Sequence, residues 1–214
     1  PGALEHITPR AREVLKDSHV IVGYTTYIDL IRPLIQDKKI ISTGMTKEVD
    51  RVEAAIKAAL DGKTTAVVSS GDAGIYAMAG LLLEICQKRG LPMGRQAEQR
   101  GSEALRIEIV PGIPALAAGA ALLGAPLTHD FAVISLSDLL TPWEIIAQRL
   151  SAAAQADFVI VIYNPKSKRR REHLKRACDI IGRHRSPDTP AGIVTGATRT
   201  NQRVQVTTLA ELPN

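Results

Sequence analysis

The sequence predicts an α/β protein in which short buried strands alternate with helices. Three observations support this fold class. Short apolar runs, typical of buried strands, recur along the chain, and HVIVGY at 19–24 is the first of them. Segments with helical periodicity separate these runs. Turns rich in glycine, proline and asparagine follow several of the apolar runs, as expected where a strand leads into a helix.

The first half of the chain contains most of this alternation. Pro9 marks a helix start, because proline is favoured in the first helical turn. The predicted helices are 9–17, 27–34, 47–60, 73–89 and 114–123, and the predicted strands are 19–24, 39–42, 65–69 and 105–110. The polar, glycine-bearing segment at 92–104 predicts an exposed and mobile loop. The helix 114–123 is so rich in alanine and glycine that it must pack closely against protein or ligand.

A second α/β half follows the segment GAPLTHD at 124–130. We place the domain boundary there, which gives domains 1–124 and 125–214. The predicted strands of the second half are 131–135, 158–163, 191–195 and 203–208, and the predicted helices are 142–154 and 168–183.

The composition indicates an ordinary globular protein, with 45% hydrophobic and 23% charged residues. A net charge of +5 favours acidic partners. The chain has no uninterrupted apolar run long enough to span a membrane and no signal-peptide pattern, so a cytoplasmic protein is expected. Pro1 in place of a methionine suggests that a leading segment is absent. Cys86 and Cys178 have neither disulfide nor metal-site spacing and are interpreted as reduced packing residues.

Several common catalytic motifs are missing from the sequence. It contains no phosphate loop, no dinucleotide-binding GxGxxG, no HExxH and no GxSxG elbow. Phosphoryl transfer, dinucleotide redox chemistry and zinc or serine hydrolysis are therefore disfavoured. The five histidines show no metal-ligand spacing, so no metal site is predicted.

Small-residue turns remain as the candidate site, each following an apolar strand. They are Gly71 to Gly74, Pro111-Gly112, Tyr163-Asn164-Pro165 and Gly196-Ala197-Thr198. Ligands of open α/β folds lie outside the carboxyl ends of strands. Asp72 can accept from hydroxyl or amino groups and repels phosphate, which favours a nucleoside without phosphates, such as S-adenosylmethionine. The alternative is that Asp72 only caps the helix starting near Gly74 and that the glycines only close turns.

One long segment, GAPLTHDFAVISLSDLLTPWE at 124–144, is more specific than these turns. It occurs in order with SSGDAGIYAMAG, VPGIPALAAGAALLGAP, VIYNPKSKRR and TTLAEL. With these segments the chain resembles the tetrapyrrole methylases of cobalamin biosynthesis, and among them the precorrin-3B C-17-methyltransferases, over nearly its whole length.

The resemblance implies a two-domain tetrapyrrole methylase fold, with a mixed sheet flanked by helices in each domain. It also implies a homodimer and S-adenosylmethionine bound in the cleft between the domains. The residues implied to bind the cofactor are Gly71, Asp72, Ile75, Tyr76, Pro111, Gly112, Ala115, Tyr163, Asn164, Gly196, Ala197 and Thr208.

The implied reaction methylates C-17 of precorrin-3B and contracts the macrocycle to give precorrin-4. An anaerobic variant uses a cobalt-containing substrate, in which case the cobalt arrives inside the pigment. The candidates to pair with the substrate carboxylates are Lys166, Lys168, Arg169, Arg170 and Arg171, together with Arg199 and Arg203 near the proposed cleft. The basic run at 166–171 could instead be a solvated helix start.

Ring contraction needs proton movements that methylation alone does not. The candidate acids and bases, by motif position, are His129, Asp130, Ser137 and Asp138. The two aspartates could instead cap a helix or turn.

Two other functions stay open at this point. The same scaffold could methylate another precorrin carbon, ribosomal RNA or a protein side chain, although 3% aromatic residues leave few stacking platforms for bases. A non-catalytic basic module would bind an acidic partner with steep salt dependence. The favoured partner is a small tetrapyrrole, without nucleic acid or membrane.

Overall fold

The computed structural model describes residues 2–93, 104–167 and 169–213. The chain forms two compact units, Pro1–Ala115 and Leu116–Asn214. The division falls at the start of the small-residue helix, whereas the boundary expected from the sequence lies at its end, after Gly124. Within the described ranges, no helix combines the length and apolarity needed to cross a membrane.

The first unit is a parallel sheet with helices on both faces. Its elements are a 3₁₀ turn Leu4–His6, α1 Pro9–Asp17, β1 Val20–Tyr24, α2 Thr25–Ile31, a 3₁₀ turn Arg32–Leu34, β2 Lys39–Thr43, α3 Glu48–Leu60, β3 Thr65–Val68 and α4 Met78–Lys88. The strand order is β2-β1-β3, with β1 parallel to both neighbours.

The central strand β1 is buried on both faces. Ile21 packs in one cluster with Leu15 of α1 and Ile28 of α2. Val20 and Val22 point the other way and pack near α3. A strand covered on both sides needs a continuous apolar sequence, which explains why 19–24 shows no polar alternation.

The second unit contains two separate strand pairs. Its elements are α5 Ala115–Leu123, β4 Phe131–Ser135, α6 Trp143–Gln155, β5 Val159–Tyr163, α7 His173–Ile181, β6 Pro190–Thr195 and β7 Arg203–Thr208. β4 and β5 are parallel, and β6 and β7 are antiparallel. Ile134 of β4, Leu150 of α6 and Cys178 of α7 belong to its main apolar cluster.

Helix α5 packs against β6, so the close partner expected for this small-residue helix is protein. A Cβ atom on Gly192 of β6 would lie 2.6 Å from the Leu123 side chain. Gly119 of α5 faces Val194 of β6, and a Cβ atom on Gly119 would lie 3.9 Å from the Val194 side chain, an ordinary van der Waals distance. This contact explains why the helix groups with the second unit.

Most predicted elements are confirmed, and three differ. Helix α4 begins at Met78 instead of Ala73, because Tyr76 adopts a left-handed φ of 49° that a helix cannot include. Helix α7 begins at His173 instead of 168. The predicted strand 105–110 is wrong: Leu105 makes an isolated bridge to Met93, and the segment that follows pairs with no described strand. The predicted mobile loop lies outside the described residues, apart from its ends.

Candidate functional site

In the first unit, the Asp72 side chain joins two of the predicted turns. Its Oδ1 accepts a hydrogen bond from the Gly74 N–H at 2.8 Å, and its Oδ2 accepts one from the Gly112 N–H at 3.0 Å. Because α4 begins only at Met78, Asp72 does not cap a helix. The carboxylate instead fixes the glycine-aspartate turn to the proline-glycine turn.

The backbones of the glycine-aspartate turn and the proline-glycine turn are in close contact at Gly71 and Gly112. A Cβ atom on Gly112 would lie 2.2 Å from the Gly71 carbonyl oxygen, a distance that no side chain could occupy. Gly71 itself has a φ of 76°, in the region that favours glycine. The glycines at both positions are therefore required by geometry, and together with Asp72 they form what we call the Asp72 corner: Gly71, Asp72, Gly74 and Gly112.

The other predicted cofactor residues of this unit lie beside the Asp72 corner in sequence. Ile75 donates its N–H to the Asp72 carbonyl at 3.4 Å. Tyr76, Pro111 and Ala115 are exposed. The corner is thus a rigid backbone with exposed side chains at its margins.

The first unit also holds a cavity of about 320 Å³ against β3. Its wall is mainly aliphatic and includes the segment 105–113. Gly71, Pro111 and Gly112 contribute to the wall, whereas Asp72 does not. An aliphatic wall offers few hydrogen-bonding groups to a polar nucleoside, so the cavity does not support the cofactor assignment.

In the second unit, Ser135 organises the carboxyl ends of β4 and β5. Its Oγ accepts from the Asn164 Nδ2 at 2.9 Å and from the Ser137 N–H at 3.2 Å. Asn164 has a left-handed φ of 54°, which asparagine tolerates better than most residues. The preceding Tyr163 accepts on its hydroxyl from the Leu116 N–H at 2.9 Å. Sequence reasoning missed Ser135, because a serine ending a strand carries no motif.

The four predicted acid–base residues do not lie together. His129 and Asp130 precede β4 and are exposed, whereas Ser137 and Asp138 follow it. Since β4 has five residues, its first and last Cα atoms are about 13 Å apart. The two pairs therefore cannot act on the same atom without a large rearrangement.

Asp138 is paired with a histidine that sequence reasoning passed over. The His173 Nε2 donates to Asp138 Oδ2 at 3.0 Å. This hydrogen bond is the main reason why the pKa of the Asp138 carboxyl lies below its ordinary value. The His173 ring packs edge-on to Trp143 with ring centroids 4.9 Å apart, and the Arg176 guanidinium lies 4.0 Å from the Trp143 centroid. The spacing of 35 residues between Asp138 and His173 left no signal in the sequence.

The described members of the predicted substrate set lie in two segments of the second unit. Lys166 Nζ donates to the Pro213 carbonyl at 3.4 Å, Arg169 is exposed, and Lys168 lies outside the described residues. Arg199 is half-buried in the β6–β7 loop, where its N–H donates to the Gly196 carbonyl at 2.8 Å. Lys166 and Arg169 follow β5, whereas Arg199 lies between β6 and β7, and a role for them in substrate binding stays a prediction.

The remaining cofactor predictions fall at two ends of one hairpin. Gly196 and Ala197 lie in the loop between β6 and β7. Thr208 pairs with Pro190 at the far end. Each strand has six residues, so Thr208 lies about 17 Å from the end of the hairpin that leads into Gly196. A ligand touching Ala197 would have to be long to reach Thr208.

The residues matched by one family model cover almost the whole chain. The model of the Tetrapyrrole (Corrin/Porphyrin) Methylases aligns with residues 1–213. The chain belongs to the tetrapyrrole methylases. The family and α/β fold predicted from the sequence are thereby confirmed, and the reading as a non-catalytic basic module is set aside.

Named relatives of this tetrapyrrole methylase include two bacterial proteins. The cobalt-factor III methyltransferase of Priestia megaterium is 50% identical over 214 residues, covering 100% of this chain and 38% of that protein. The probable cobalt-factor III C(17)-methyltransferase of Salmonella typhimurium is 45% identical over 212 residues, covering 99% of this chain and 83% of that protein. The chain thus spans less than half of the first relative and most of the second.

Among solved structures, the methyltransferase CobJ is similar in fold and sequence. It superposes with a TM-score of 0.87 at 36% identity, covering 99% of this methylase and 84% of that chain. The arrangement of strands and helices described above is therefore that of a tetrapyrrole methylase.

Proposed function

We propose that this tetrapyrrole methylase transfers a methyl group from S-adenosylmethionine to C-17 of a tetrapyrrole precursor of cobalamin, and that the macrocycle of this precursor contracts in the same reaction. The observation that carries the proposal is 50% identity along the full chain to a protein named cobalt-factor III methyltransferase. The names of both relatives favour the cobalt-containing substrate, cobalt-factor III, over metal-free precorrin-3B. The cobalt is then part of the substrate.

The Asp72 corner fits the cofactor. Each oxygen of the Asp72 carboxylate uses one lone pair on a backbone N–H, which leaves acceptor capacity for a hydroxyl or ammonium group. Its negative charge suits a cationic nucleoside and opposes a nucleotide phosphate. When bound, S-adenosylmethionine supplies an electrophilic methyl group and leaves as S-adenosylhomocysteine. Gly71 has no Cβ atom, which lets a ligand approach the backbone there, whereas the missing Cβ of Gly112 makes room for the Gly71 carbonyl oxygen.

The protein's own contribution to methyl transfer is mainly positioning. Holding the acceptor carbon in line with the methyl group can lower the barrier by about 7 to 11 kcal/mol. No nucleophilic side chain is required, which agrees with a corner made of backbone and one carboxylate. For the second unit, the roles of Tyr163, Asn164, Gly196, Ala197 and Thr208 stay predictions.

Ring contraction requires a group that accepts or donates a proton. Ser137 and Asp138 lie at the same end of β4 and β5 as Tyr163 and Asn164. His129 lies at the other end of β4. We therefore favour Ser137 and Asp138 over His129 for proton transfer. We expect Ser137→Ala to lower turnover more than His129→Asn.

The decisive experiment supplies the protein with methyl-labelled S-adenosylmethionine and, in separate reactions, cobalt-factor III and precorrin-3B. Mass spectrometry and NMR of the pigment then report whether a methyl group is gained, at which carbon, and whether the ring contracts. Label at C-17 in a contracted ring supports the proposal. Label at another carbon supports the alternative of a related methylase on the same fold.

The family resemblance further supports a homodimer acting in the cytoplasm. Light scattering coupled to size-exclusion chromatography measures the mass in solution. A monomer at all accessible concentrations would contradict the dimer and leave the proposed chemistry untouched.

A further inference from the structure

Arg170 is a half-buried cation whose guanidinium donors are only partly satisfied by the described residues around it. It lies in the segment after β5, near the residues that follow β4. Its Nη1 reaches Ser137 Oγ at 3.5 Å, the outer limit of a hydrogen bond. Its Nε is buried and has no acceptor among the described residues. A buried donor without an acceptor is costly, so such a group calls for a partner.

The carboxylate next to Ser137 does not serve as that partner. Asp138 accepts from His173 Nε2 at 3.0 Å, whereas no acidic side chain in the described part of the chain forms an ion pair with Arg170. Arg170 acts on Asp138 only as a nearby charge, and it is the weakest of the influences on that carboxyl. Asp138 is therefore engaged by His173 instead of Arg170.

His173 is held firmly enough to keep this arrangement. It is the first residue of α7, and its side chain is only 13% exposed. Its ring contacts Trp143, whose face is covered in turn by Arg176. This packing fixes the imidazole beside Asp138 and so fixes which hydrogen-bond donor Asp138 meets.

The charges around Arg170 favour an anion. Lys166, Arg169 and Arg171 are exposed cations in the same segment. Arg170 also lies in the segment that continues from Tyr163 and Asn164, at the end of β5 where ligand contacts are predicted. A guanidinium presents parallel N–H groups that match a carboxylate in a bidentate pair.

We propose that Arg170, supported by Ser137, binds a side-chain carboxylate of the tetrapyrrole, and that His173 keeps Arg170 available by holding Asp138. The inference rests on the proposed function for the identity of the anion. Arg170 is then a substrate-binding residue, and His173 is a positioning residue that acts through Asp138. The sequence named Arg170 as one of five basic candidates without ranking it above the others, and it gave no role to His173.

The first test compares Arg170→Gln with Arg183→Gln. Arg183 is an exposed arginine just beyond the far end of α7, which makes it a matched control. The probe is uroporphyrin, a porphyrin with acetate and propionate side chains, and quenching of the single tryptophan, Trp143, reports its binding. Arg170→Gln is expected to weaken uroporphyrin binding by about tenfold, the loss typical of a hydrogen bond to a charged group. Arg183→Gln should leave it unchanged.

S-adenosylhomocysteine binding is measured on the same variants, because the cofactor also carries a carboxylate. Unchanged affinity for it in Arg170→Gln supports the pigment as the source of the anion. Loss of S-adenosylhomocysteine binding with intact uroporphyrin binding would overturn the assignment.

If Arg170→Gln does not fold, Arg170→Lys is the second variant, because lysine keeps the charge without the planar guanidinium. Wild-type uroporphyrin affinity in Arg170→Lys would also count against a bidentate site. Absence of S-adenosylhomocysteine binding in the wild type would sink the proposed function instead.

The second test isolates the role of His173. In His173→Phe the ring contact with Trp143 is kept, but Asp138 loses its partner and can pair with Arg170. Uroporphyrin binding should weaken, and adding Asp138→Asn should restore it, because the competing carboxylate is gone. A purely structural role for His173 predicts no restoration. A double variant as weak as His173→Phe would refute this part of the proposal.

Discussion

Asp72 Oδ2 accepts a hydrogen bond from the Gly112 N–H at 3.0 Å, although 40 positions separate the two residues in the sequence. The same carboxylate accepts from Gly74, two positions on. The Asp72 side chain therefore stabilises both a local turn and a contact between distant segments. Its removal should lower the stability of the fold and weaken binding of the cofactor.

Asp72→Ala should lower the free energy of unfolding by about 1 to 3 kcal/mol, since it leaves two backbone N–H groups without their acceptor. It should also weaken S-adenosylhomocysteine binding. Urea titration and isothermal calorimetry measure the two effects. The control is Asp61→Ala, an exposed aspartate after α3 in the same unit, where both quantities should stay close to wild type. Equal losses in the two variants would show that the Asp72 corner has no special role.

Gly112→Ala should be destabilising by about 1 to 3 kcal/mol, the usual cost of forcing extra atoms into a packed site. The added methyl would overlap the Gly71 carbonyl oxygen, which cannot move without shifting the turn. Gly119→Ala is the matched control. It lies inside α5 with a neighbour at 3.9 Å, so helix propensity should make that variant more stable by about 0.5 to 1 kcal/mol. Urea-induced unfolding of both variants checks the difference in sign, and a tolerated Gly112→Ala would contradict the close approach of the two turns.

The acid sensitivity of the second unit should depend in part on Asp138. Its carboxyl pKa is lowered from an ordinary value of 3.8, mainly by the hydrogen bond from His173. A lowered carboxyl pKa stabilises the folded state fully above the ordinary value, and this contribution is lost as the pH falls through the lowered one.

Asp138→Asn should therefore flatten the dependence of unfolding free energy on pH between about pH 5 and about pH 2. The stability of the wild type and variant should converge at the acidic end. Asp188→Asn changes an exposed aspartate of the same unit and should leave the slope as in the wild type. Unfolding by urea at a series of pH values provides the measurement. Parallel curves for wild type and Asp138→Asn would show that the pair with His173 adds nothing to stability.

Neither cysteine should react with iodoacetamide in the folded protein at about pH 8, because alkylation requires an accessible thiolate. Burial raises the pKa of Cys178 to about 11, and burial also raises the pKa of Cys86. Both thiols are buried. Mass spectrometry should find two alkylations after unfolding in urea and none before. Rapid labelling of either thiol in the native state would show that its unit opens readily.

The pairing of Asp72 with Gly112 and that of Asp138 with His173 were not accessible from sequence, for the same reason. Each joins residues that are distant in the chain and carry no shared motif, so only folding brings them within hydrogen-bonding distance. The turns themselves were predictable, because glycine, proline and asparagine after an apolar run have local causes. The strand prediction failed for 105–110, because a strand also needs a neighbour to pair with. The segment has the composition of a strand, but within the described ranges it pairs only through Leu105.

By itself, the sequence determined the alternation of strands and helices, the glycine turns at strand ends and the membership in the tetrapyrrole methylases. These follow from periodicity, backbone preferences and contiguous motifs, all of which act over short distances in the chain. The tertiary structure alone decided that Asp72 bridges two turns, that His129 and Ser137 lie at opposite ends of β4, and that Asp138 meets His173 instead of Arg170. Such choices depend on which side chains packing brings together and which partners then satisfy their charges and hydrogen bonds.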